Sequence, residues 1–215
     1  STWAPPAGDG NRSGRSLSTS PEALTIVTLF IVFEGCDGSG KTTQARTLFH
    51  RLRREDRPAM LVREPGGTPV GERARRWLKG SADLTPLTEL FLFTAARSQL
   101  VARVIRPALV EGVTVICDRF TPSTVAYQGY GRGLDLALVD QLNRLASDGL
   151  VAHLTVLLDL HPEVRLTRKG PTRPDVFDAA PLAFHRRVRQ GYLAQASEQP
   201  DRWLVMDATR PRREL

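Results

Sequence analysis

The sequence predicts an α/β fold, in which a parallel sheet is covered by helices on both faces. Short runs rich in Val, Ile and Leu alternate along the chain with segments whose apolar residues recur at helical spacing. The chain also has 215 residues, 41% of them hydrophobic, which is enough for one domain with a substantial core. Alternating strands and helices indicate a parallel sheet, because each crossover helix returns along one of its faces.

Five segments are predicted as strands, each a short apolar run, and five as helices with one apolar face. The strands are residues 26–33, 59–62, 113–117, 154–160 and 203–206. The helices are residues 41–55, 69–79, 86–111, 135–147 and 181–198, and the third is expected to bend near Pro107, because proline interrupts helical hydrogen bonding. Apolar spacing predicts that the second helix buries Val70, Ala74, Trp77 and Leu78, and the fourth Leu136, Val139, Leu142 and Leu145 or Ala146.

Residues 1–23 are predicted to form a disordered tail. They are rich in Gly, Ser and Pro and show neither strand nor helix periodicity, so they cannot bury enough apolar surface to become ordered. The folded domain is therefore expected to span residues 24–215.

The composition narrows the classes of partner. Nearly all of the positive charge behind the formal net charge of +7 is arginine, which is spread along the chain. Scattered arginine indicates a solvated surface, and its planar fork suits phosphate oxygens, so we expect anionic small molecules rather than nucleic acid.

No apolar run is long enough to cross a membrane. Cys36 and Cys117 show neither a disulfide framework nor metal-ligand spacing, which predicts reduced thiols in a cytoplasmic protein.

A glycine-rich motif at residues 35–42, Gly-Cys-Asp-Gly-Ser-Gly-Lys-Thr, lies between the first predicted strand and the first predicted helix. This pattern and this context are those of a P-loop, whose backbone N–H groups and helix N-terminus cradle phosphate. Lys41 is expected to reach the β- and γ-phosphates of ATP, and Thr42 to hold Mg²⁺. The predicted ATP-binding residues are Gly35, Cys36, Asp37, Gly38, Ser39, Gly40, Lys41, Thr42 and Thr43.

Asp118 ends the apolar run that begins at Val113, and Arg119 follows it directly. In P-loop proteins an aspartate at this edge of the sheet lies near Mg²⁺. Thr42 and Asp118 are therefore the predicted metal-binding residues. The fold class becomes a three-layer P-loop NTPase fold with a small lid segment.

The P-loop alone does not distinguish an NTPase, a GTPase and a small-molecule kinase. The chain has no Asn-Lys-x-Asp motif for reading guanine, and it is short for a motor ATPase. Other segments decide the class.

Residues 29–211 resemble the thymidylate kinase family, on several motifs in the family's order. These are residues 33–44 around the P-loop, the Arg-Glu-Pro segment at residues 63–68, the Phe-rich helix at residues 91–97, Asp-Arg-Phe at residues 118–120, and residues 123–133. The resemblance implies that the protein uses ATP and Mg²⁺ to phosphorylate dTMP to dTDP, which is a step in dTTP synthesis. It also implies that the protein is a homodimer.

The resemblance also assigns roles to individual residues. Asp37 would contact the sugar 3′-hydroxyl, Arg63 and Arg97 would grip the acceptor phosphate, and Phe93 would stack on thymine. Tyr127 would lie against the deoxyribose, where it would crowd a 2′-hydroxyl. The predicted substrate-binding residues are Asp37, Arg63, Phe93, Arg97, Arg119, Ser123, Thr124, Tyr127 and Gln128, and the predicted catalytic residues are Lys41, Asp37, Arg119, Arg173 and Arg168.

The lid, expected at about residues 168–178, departs from the family pattern. Val176 stands where relatives carry an arginine, and Asp178 where they carry a glutamate. Arg173 and Arg168 are therefore the candidates for bringing positive charge to the γ-phosphate. The family's C-terminal helix is also expected to be shortened. Two alternatives stay open: another nucleotide or nucleoside kinase of the same fold, and a nucleotide-binding homologue without turnover.

Overall fold

The computed structural model describes residues 28–80, 83–164, 177, 180–211 and 214–215. Five parallel strands form one sheet in the order β2-β3-β1-β4-β5, which confirms the predicted α/β class. The strands are β1 (Phe30–Glu34), β2 (Ala59–Arg63), β3 (Thr114–Asp118), β4 (Leu154–Asp159) and β5 (Trp203–Asp207). The tail predicted over residues 1–23 and the lid residues 168–176 and 178 lie outside the described residues.

The predicted helices are present with ends shifted by at most one residue, apart from the third. The helices are α1 (Lys41–Arg54), α2 (Pro69–Gly80), α3 (Pro86–Leu100), α4 (Arg106–Val110), α5 (Thr121–Thr124), α6 (Leu136–Ser147) and α7 (Leu182–Glu198). The bend predicted near Pro107 is replaced by a π-helical segment, Val101–Ile105, between α3 and α4. There the N–H of Arg106 donates to the carbonyl of Val101, five residues back, so the wider turn precedes the proline.

The helical stretch over residues 121–131 was not predicted from the sequence. After α5 the chain continues as a second π-helical segment, Val125–Gly131. A Cβ on Gly131 would overlap Phe184 of α7, and a Cβ on Gly191 of α7 would overlap Tyr130. The two elements therefore pack closely through their glycines, a tertiary contact that helical periodicity cannot reveal.

Both faces of the sheet are covered, as the continuous apolar strands predicted. Phe30 and Val32 of β1 pack with Leu100 and Ile105 on one face. Ile31 and Phe33 point the other way and pack with Ala45 and other residues of α1 and β4. Every residue of β1 is buried, so this central strand fixes the position of the loop that follows it.

Several side chains predicted to face the core lie instead on the surface of this chain. Val70 and Trp77 of α2 are 43% and 58% exposed, and Leu136 of α6 is 44% exposed. Of the alternatives Leu145 and Ala146, Ala146 is the buried residue, and Leu145 is 69% exposed. Ala74, Leu78, Val139 and Ala146 are buried as predicted. Apolar spacing identifies an apolar face, but it does not say whether the same chain covers that face.

The carboxyl ends of the strands meet at one edge of the sheet. Arg63, at the end of β2, is in register with Asp118, at the end of β3, and Asp118 is in register with Phe33 of β1. The glycine-rich loop starts at this edge, immediately after Glu34. Ligands of open α/β sheets bind at such an edge. No helix in the described part of the chain is long and apolar enough to span a lipid bilayer.

Candidate active site

The loop between β1 and α1 has the backbone that a phosphate cradle needs. Gly35, Gly38 and Gly40 have φ angles of 138°, 80° and 97°, in a region that residues with a Cβ avoid. A Cβ on Gly35 would also overlap the carbonyl oxygen of Leu158 in β4. The loop is therefore pressed against the sheet and leads into the N-terminus of α1, whose unpaired N–H groups attract anions.

Lys41, the first residue of α1, is folded back over this loop. Its Nζ donates to the carbonyl of Cys36 at 2.8 Å and lies 3.9 Å from Asp37 Oδ1. Burial, followed by the nearby charge of Arg119, lowers the pKa of Lys41. The loop thus concentrates positive charge in a poorly solvated place, where a phosphate would both compensate that charge and bind strongly.

Thr42 and Asp118, the two predicted metal-binding residues, lie next to each other at this edge of the sheet. The Thr42 hydroxyl donates to Asp118 Oδ2, across the gap between α1 and β3. Hard oxygen donors of this kind suit Mg²⁺, which commonly completes its shell with water and nucleotide phosphate. Among the described residues no cluster of three or more His, Cys, Asp or Glu side chains forms a metal cage. The two oxygen donors, Thr42 and Asp118, are of the kind that Mg²⁺ accepts together with phosphate oxygens.

Arg119 is held in place on several sides. Its φ is 75°, an unusual value for arginine, and its guanidinium forms an ion pair with Asp37. Its Nη1 also donates to Ser123 at 3.0 Å and to the hydroxyl of Tyr192 at 3.1 Å. The guanidinium lies 5.1 Å from the ring centroid of Tyr127. The side chain is thus fixed at the sheet edge, between the P-loop and the π-helical segment.

Two cavities adjoin at this edge. The larger, about 820 Å³, is lined by Gly38, Gly40, Lys41, Thr42, Thr43, Arg63 and Asp118, among others. The smaller, about 150 Å³, is lined by Phe93, Ser123, Thr124, Tyr127, Gln128 and Phe177, among others. Four residues line both cavities: Asp37, Glu64, Arg75 and Arg119. We call these four the junction residues.

The structure brings most of the residues predicted to bind the substrate into these cavities. The smaller cavity contains Asp37, Phe93, Arg119, Ser123, Thr124, Tyr127 and Gln128. Arg63 lines the larger one, with a side chain that is 53% exposed and an ion pair to Glu72 at 3.2 Å. Arg168 and Arg173 lie outside the described residues.

The structure does not place Arg97 where the prediction put it. It was predicted to grip the acceptor phosphate, but its side chain is 1% exposed and lines neither cavity. Its guanidinium forms an ion pair with Glu64 at 2.8 Å. It also donates to Thr124 at 2.9 Å and to Asn143 at 2.6 Å. Arg97 therefore supports the wall of the smaller cavity from behind, because these partners are themselves wall residues or their neighbours.

Two buried glutamates have raised pKa values. Burial raises the pKa of Glu34, which accepts hydrogen bonds from the Phe120 N–H at 2.8 Å, Ser123 at 2.7 Å and Tyr192 at 2.9 Å. Burial likewise raises the pKa of Glu64 to about 7, although Arg97 acts in the opposite direction. Glu34 thus fixes residues of the site from behind, whereas Glu64 holds Arg97 and itself lines both cavities.

Glu64 should make the stability of the protein depend on pH. The folded chain binds its proton more tightly than the unfolded chain, so stability is lost as the pH rises from 4.5 through about 7. We expect the free energy of unfolding, measured in urea at pH 5 and pH 8, to fall more in the wild type than in Glu64→Gln. Parallel pH profiles for the two proteins would show that Glu64 does not titrate in this range.

Sequence reasoning missed several residues of the site. Glu34 and Tyr192 are 158 positions apart but are hydrogen-bonded beneath Arg119. Arg75 and Phe177 line the smaller cavity, and Glu64 lines both. Glu64 lies in the Arg-Glu-Pro segment, which was a usable signal. No local pattern distinguishes Arg75 from the other arginines of α2.

The fold, the glycine-rich loop and the Thr42–Asp118 pair define a P-loop nucleotide-binding protein with a second pocket for an acceptor. Residues 33–215 match the family model for thymidylate kinase. Thymidylate kinases from Dehalococcoides mccartyi and Deinococcus radiodurans are 49% and 50% identical to this chain, over 88% and 87% of it and 92% of each relative. The crystal structure of thymidylate kinase from Ehrlichia chaffeensis superposes with a TM-score of 0.71, at 38% identity, covering 84% of this chain and 88% of that one. This chain belongs to the thymidylate kinase family, whose members are nucleoside monophosphate kinases.

Proposed function

We propose that this protein transfers the γ-phosphoryl group of ATP to dTMP, giving ADP and dTDP. The observation that carries the proposal is the pair of adjoining cavities: a P-loop lines one, aromatic side chains line the other, and Asp37 and Arg119 line both. A kinase needs its donor and acceptor phosphates to meet in line without a covalent intermediate. A junction between a phosphate cradle and an aromatic pocket suits that requirement.

The larger cavity would hold ATP. The loop amides and Lys41 would contact the phosphates, and Thr42 and Asp118 would hold Mg²⁺, which neutralises charge on the transferred group when it is bound. The depressed pKa of Lys41 reflects a charge that is poorly solvated in the absence of an anion. A negatively charged phosphate would compensate the positive charge of Lys41, so the lysine is preorganised for this ligand.

The smaller cavity would hold the nucleoside of the acceptor. Phe93 and Tyr127 offer aromatic faces to a base and sugar, and the buried amide of Gln128 is a candidate hydrogen-bond partner for the base. The Tyr127 hydroxyl lies 3.2 Å from Asp37 Oδ2, so the two groups fix one side of the sugar site.

Arg168 and Arg173 belong to the same proposal as lid donors of positive charge, with Arg173 favoured because it lies between Pro171 and Pro174 in the sequence. A donor of this kind acts mainly in the transition state. Steady-state kinetics of Arg168→Ala and Arg173→Ala test this role. Replacing the arginine that supplies the charge should lower kcat at least about tenfold, with little change in the KM for dTMP.

We also propose that two copies of this chain form a dimer through α2, α3 and α6. α3 packs between the other two helices, and each helix presents apolar side chains one or two turns apart to solvent. These are Val70 and Trp77, Leu87 and Phe91, and Leu138 and Leu145. Adjacent exposed apolar side chains of this extent mark an interface. Light scattering on the purified protein measures whether it is a monomer or a dimer. The cytoplasmic location predicted from the cysteines is part of the proposal as well, since Cys36 and Cys117 are both unbridged and buried.

A panel of acceptors tests the function. We expect kcat/KM for dTMP to exceed that for dUMP by a modest factor, because one methyl group contributes about 1–3 kcal/mol. AMP and GMP should be poor acceptors. Turnover of AMP or GMP comparable to that of dTMP would identify another kinase of the same fold. ATP binding without acceptor-dependent release of ADP would identify a homologue without turnover.

A further inference from the structure

The side-chain amide of Gln128 is held by a residue outside the smaller cavity. Gln128 is 1% exposed and lines that cavity, whereas Glu89 of α3 is 3% exposed and lies behind its wall. The Nε2 of Gln128 donates to Oε2 of Glu89 at 3.3 Å. Within the described part of the chain, Oε1 of Gln128 has no hydrogen-bond partner. This oxygen is therefore the amide atom that is left to the cavity.

Glu89 is itself fixed by Arg132. Nη2 of Arg132 donates to Oε1 of the carboxylate at 2.7 Å, and Nε donates to Oε2 at 3.1 Å. The guanidinium also lies 5.1 Å from the ring centroid of Phe184 and 5.6 Å from that of Phe177. A carboxylate bound in this way has a fixed plane and can only accept hydrogen bonds. The Gln128 amide must therefore present its NH₂ group to Glu89.

The π-helical segment brings Gln128 and Arg132 to the same carboxylate. The N–H of Arg132 donates to the carbonyl of Tyr127, five residues back, at 2.9 Å, which gives the wider turn. On α3, Glu89 lies four residues before Phe93, so both side chains are on one face of that helix. Phe93 lines the smaller cavity. Glu89 is thus placed directly behind the pocket proposed for the base.

The direction of the Gln128 amide decides which pyrimidines fit. Thymine and uracil carry a proton on N3, whereas N3 of cytosine carries a lone pair. An amide oxygen that faces the cavity accepts a hydrogen bond from the first two bases and opposes the lone pair of the third. A buried polar group left without a partner is costly, so this arrangement disfavours cytosine.

We propose that Glu89, held by Arg132, is a positioning residue for base selection. It sets the Gln128 amide with its oxygen toward the acceptor, so that the site takes thymine or uracil and rejects cytosine. Glu89 acts through Gln128 and does not touch the nucleotide. The proposal deepens the proposed function and rests on it.

Binding of dUMP and dCMP, measured by calorimetry without ATP, isolates this effect, because the two nucleotides differ only at N3 and C4 of the base. The wild type should bind dUMP at least about 30-fold more tightly than dCMP. In Glu89→Gln the oxygen of the new amide can stay on Arg132, so that its NH₂ faces Gln128 and turns the Gln128 amide around. The ratio of the dUMP and dCMP affinities should therefore fall at least about tenfold.

A second ratio separates positioning from damage to the pocket. The ratio of the dTMP and dUMP affinities should stay within about threefold of the wild-type value in Glu89→Gln, because both bases carry a proton on N3. Glu111→Gln is the matched control, since it makes the same change at an exposed residue that lines neither cavity. It should keep both ratios.

A thermal melt of each variant identifies loss of fold. If Glu89→Gln does not fold, Glu89→Gln/Arg132→Gln leaves no charge unpaired and carries the same expectation. An unchanged ratio of dUMP and dCMP affinities in a folded Glu89 variant would overturn the proposal, and so would a wild type that binds the two nucleotides equally. Failure of the wild type to phosphorylate dTMP is a separate result, which would refute the proposed function.

Discussion

Replacing Lys41 with Met should lower kcat with ATP and dTMP by about 10²- to 10³-fold or more. The lysine is asked to stabilise charge on the transferred phosphoryl group, and the loss of a single preorganised donor of this kind has an effect of that size. Met fills a similar volume, and burial already lowers the pKa of the lysine, so removing its charge should leave the fold stable. A coupled assay of ADP release measures the turnover, and a thermal melt shows whether the fold is retained.

Arg53→Met is a suitable control for that experiment. Arg53 is an exposed residue of the same helix that lines neither cavity of the site, so its variant should keep wild-type turnover. Turnover retained in Lys41→Met would contradict the role of the loop in phosphate binding. A melting temperature that collapses in Lys41→Met would mean that the lost activity reports unfolding.

Replacing Arg97 with Leu should destabilise the protein by about 3–5 kcal/mol at pH 8, as expected when one partner of a buried ion pair is removed. The substitution leaves the Glu64 carboxylate buried without its cation, and it removes hydrogen bonds to Thr124 and Asn143. At pH 8 the Glu64 carboxylate of the wild type is above its pKa of about 7. Arg97 lowers that pKa, so in the variant the carboxyl group either stays charged without a partner or takes up a proton, and both outcomes destabilise the fold relative to the ion pair. The free energy of unfolding in urea, without ligands, measures the effect.

The double variant Glu64→Leu/Arg97→Leu separates the ion pair from the rest of the contacts. Removing both charges should recover more than half of the lost stability, because neither charge is then left uncompensated. A stable Arg97→Leu protein that no longer binds dTMP would restore the original prediction that Arg97 contacts the substrate. Equal stability of wild type and Arg97→Leu would show that the pair contributes nothing.

Much of the fold could be predicted because its signals are local. The apolar strands and the helical spacing of α1, α2, α6 and α7 are each contained in a few consecutive residues. The two π-helical segments were not predicted, because no sequence period marks them. The segment Val125–Gly131 lies close to α7 through glycines on both elements, and that packing exists only in the folded chain.

The apolar faces of α2 and α6 show a similar limit. Periodicity identified Ala74 and Leu78 together with Trp77, but only the first two are buried in this chain. An apolar residue on a helix can face its own core or a partner, and spacing is the same in both cases.

The proposed phosphate-binding half of the site could be located from the sequence alone. Gly35, Lys41 and Thr42 lie on one continuous stretch of backbone, so their spacing along the chain already defines their geometry. The acceptor half was decided by the tertiary structure. Whether Arg75 or Arg97 reaches the junction depends on how α2 and α3 pack against the sheet edge, and on which of them the buried Glu64 carboxylate binds. Arginines look alike in sequence, and only burial and the charges around each one separate a ligand-binding guanidinium from a structural one.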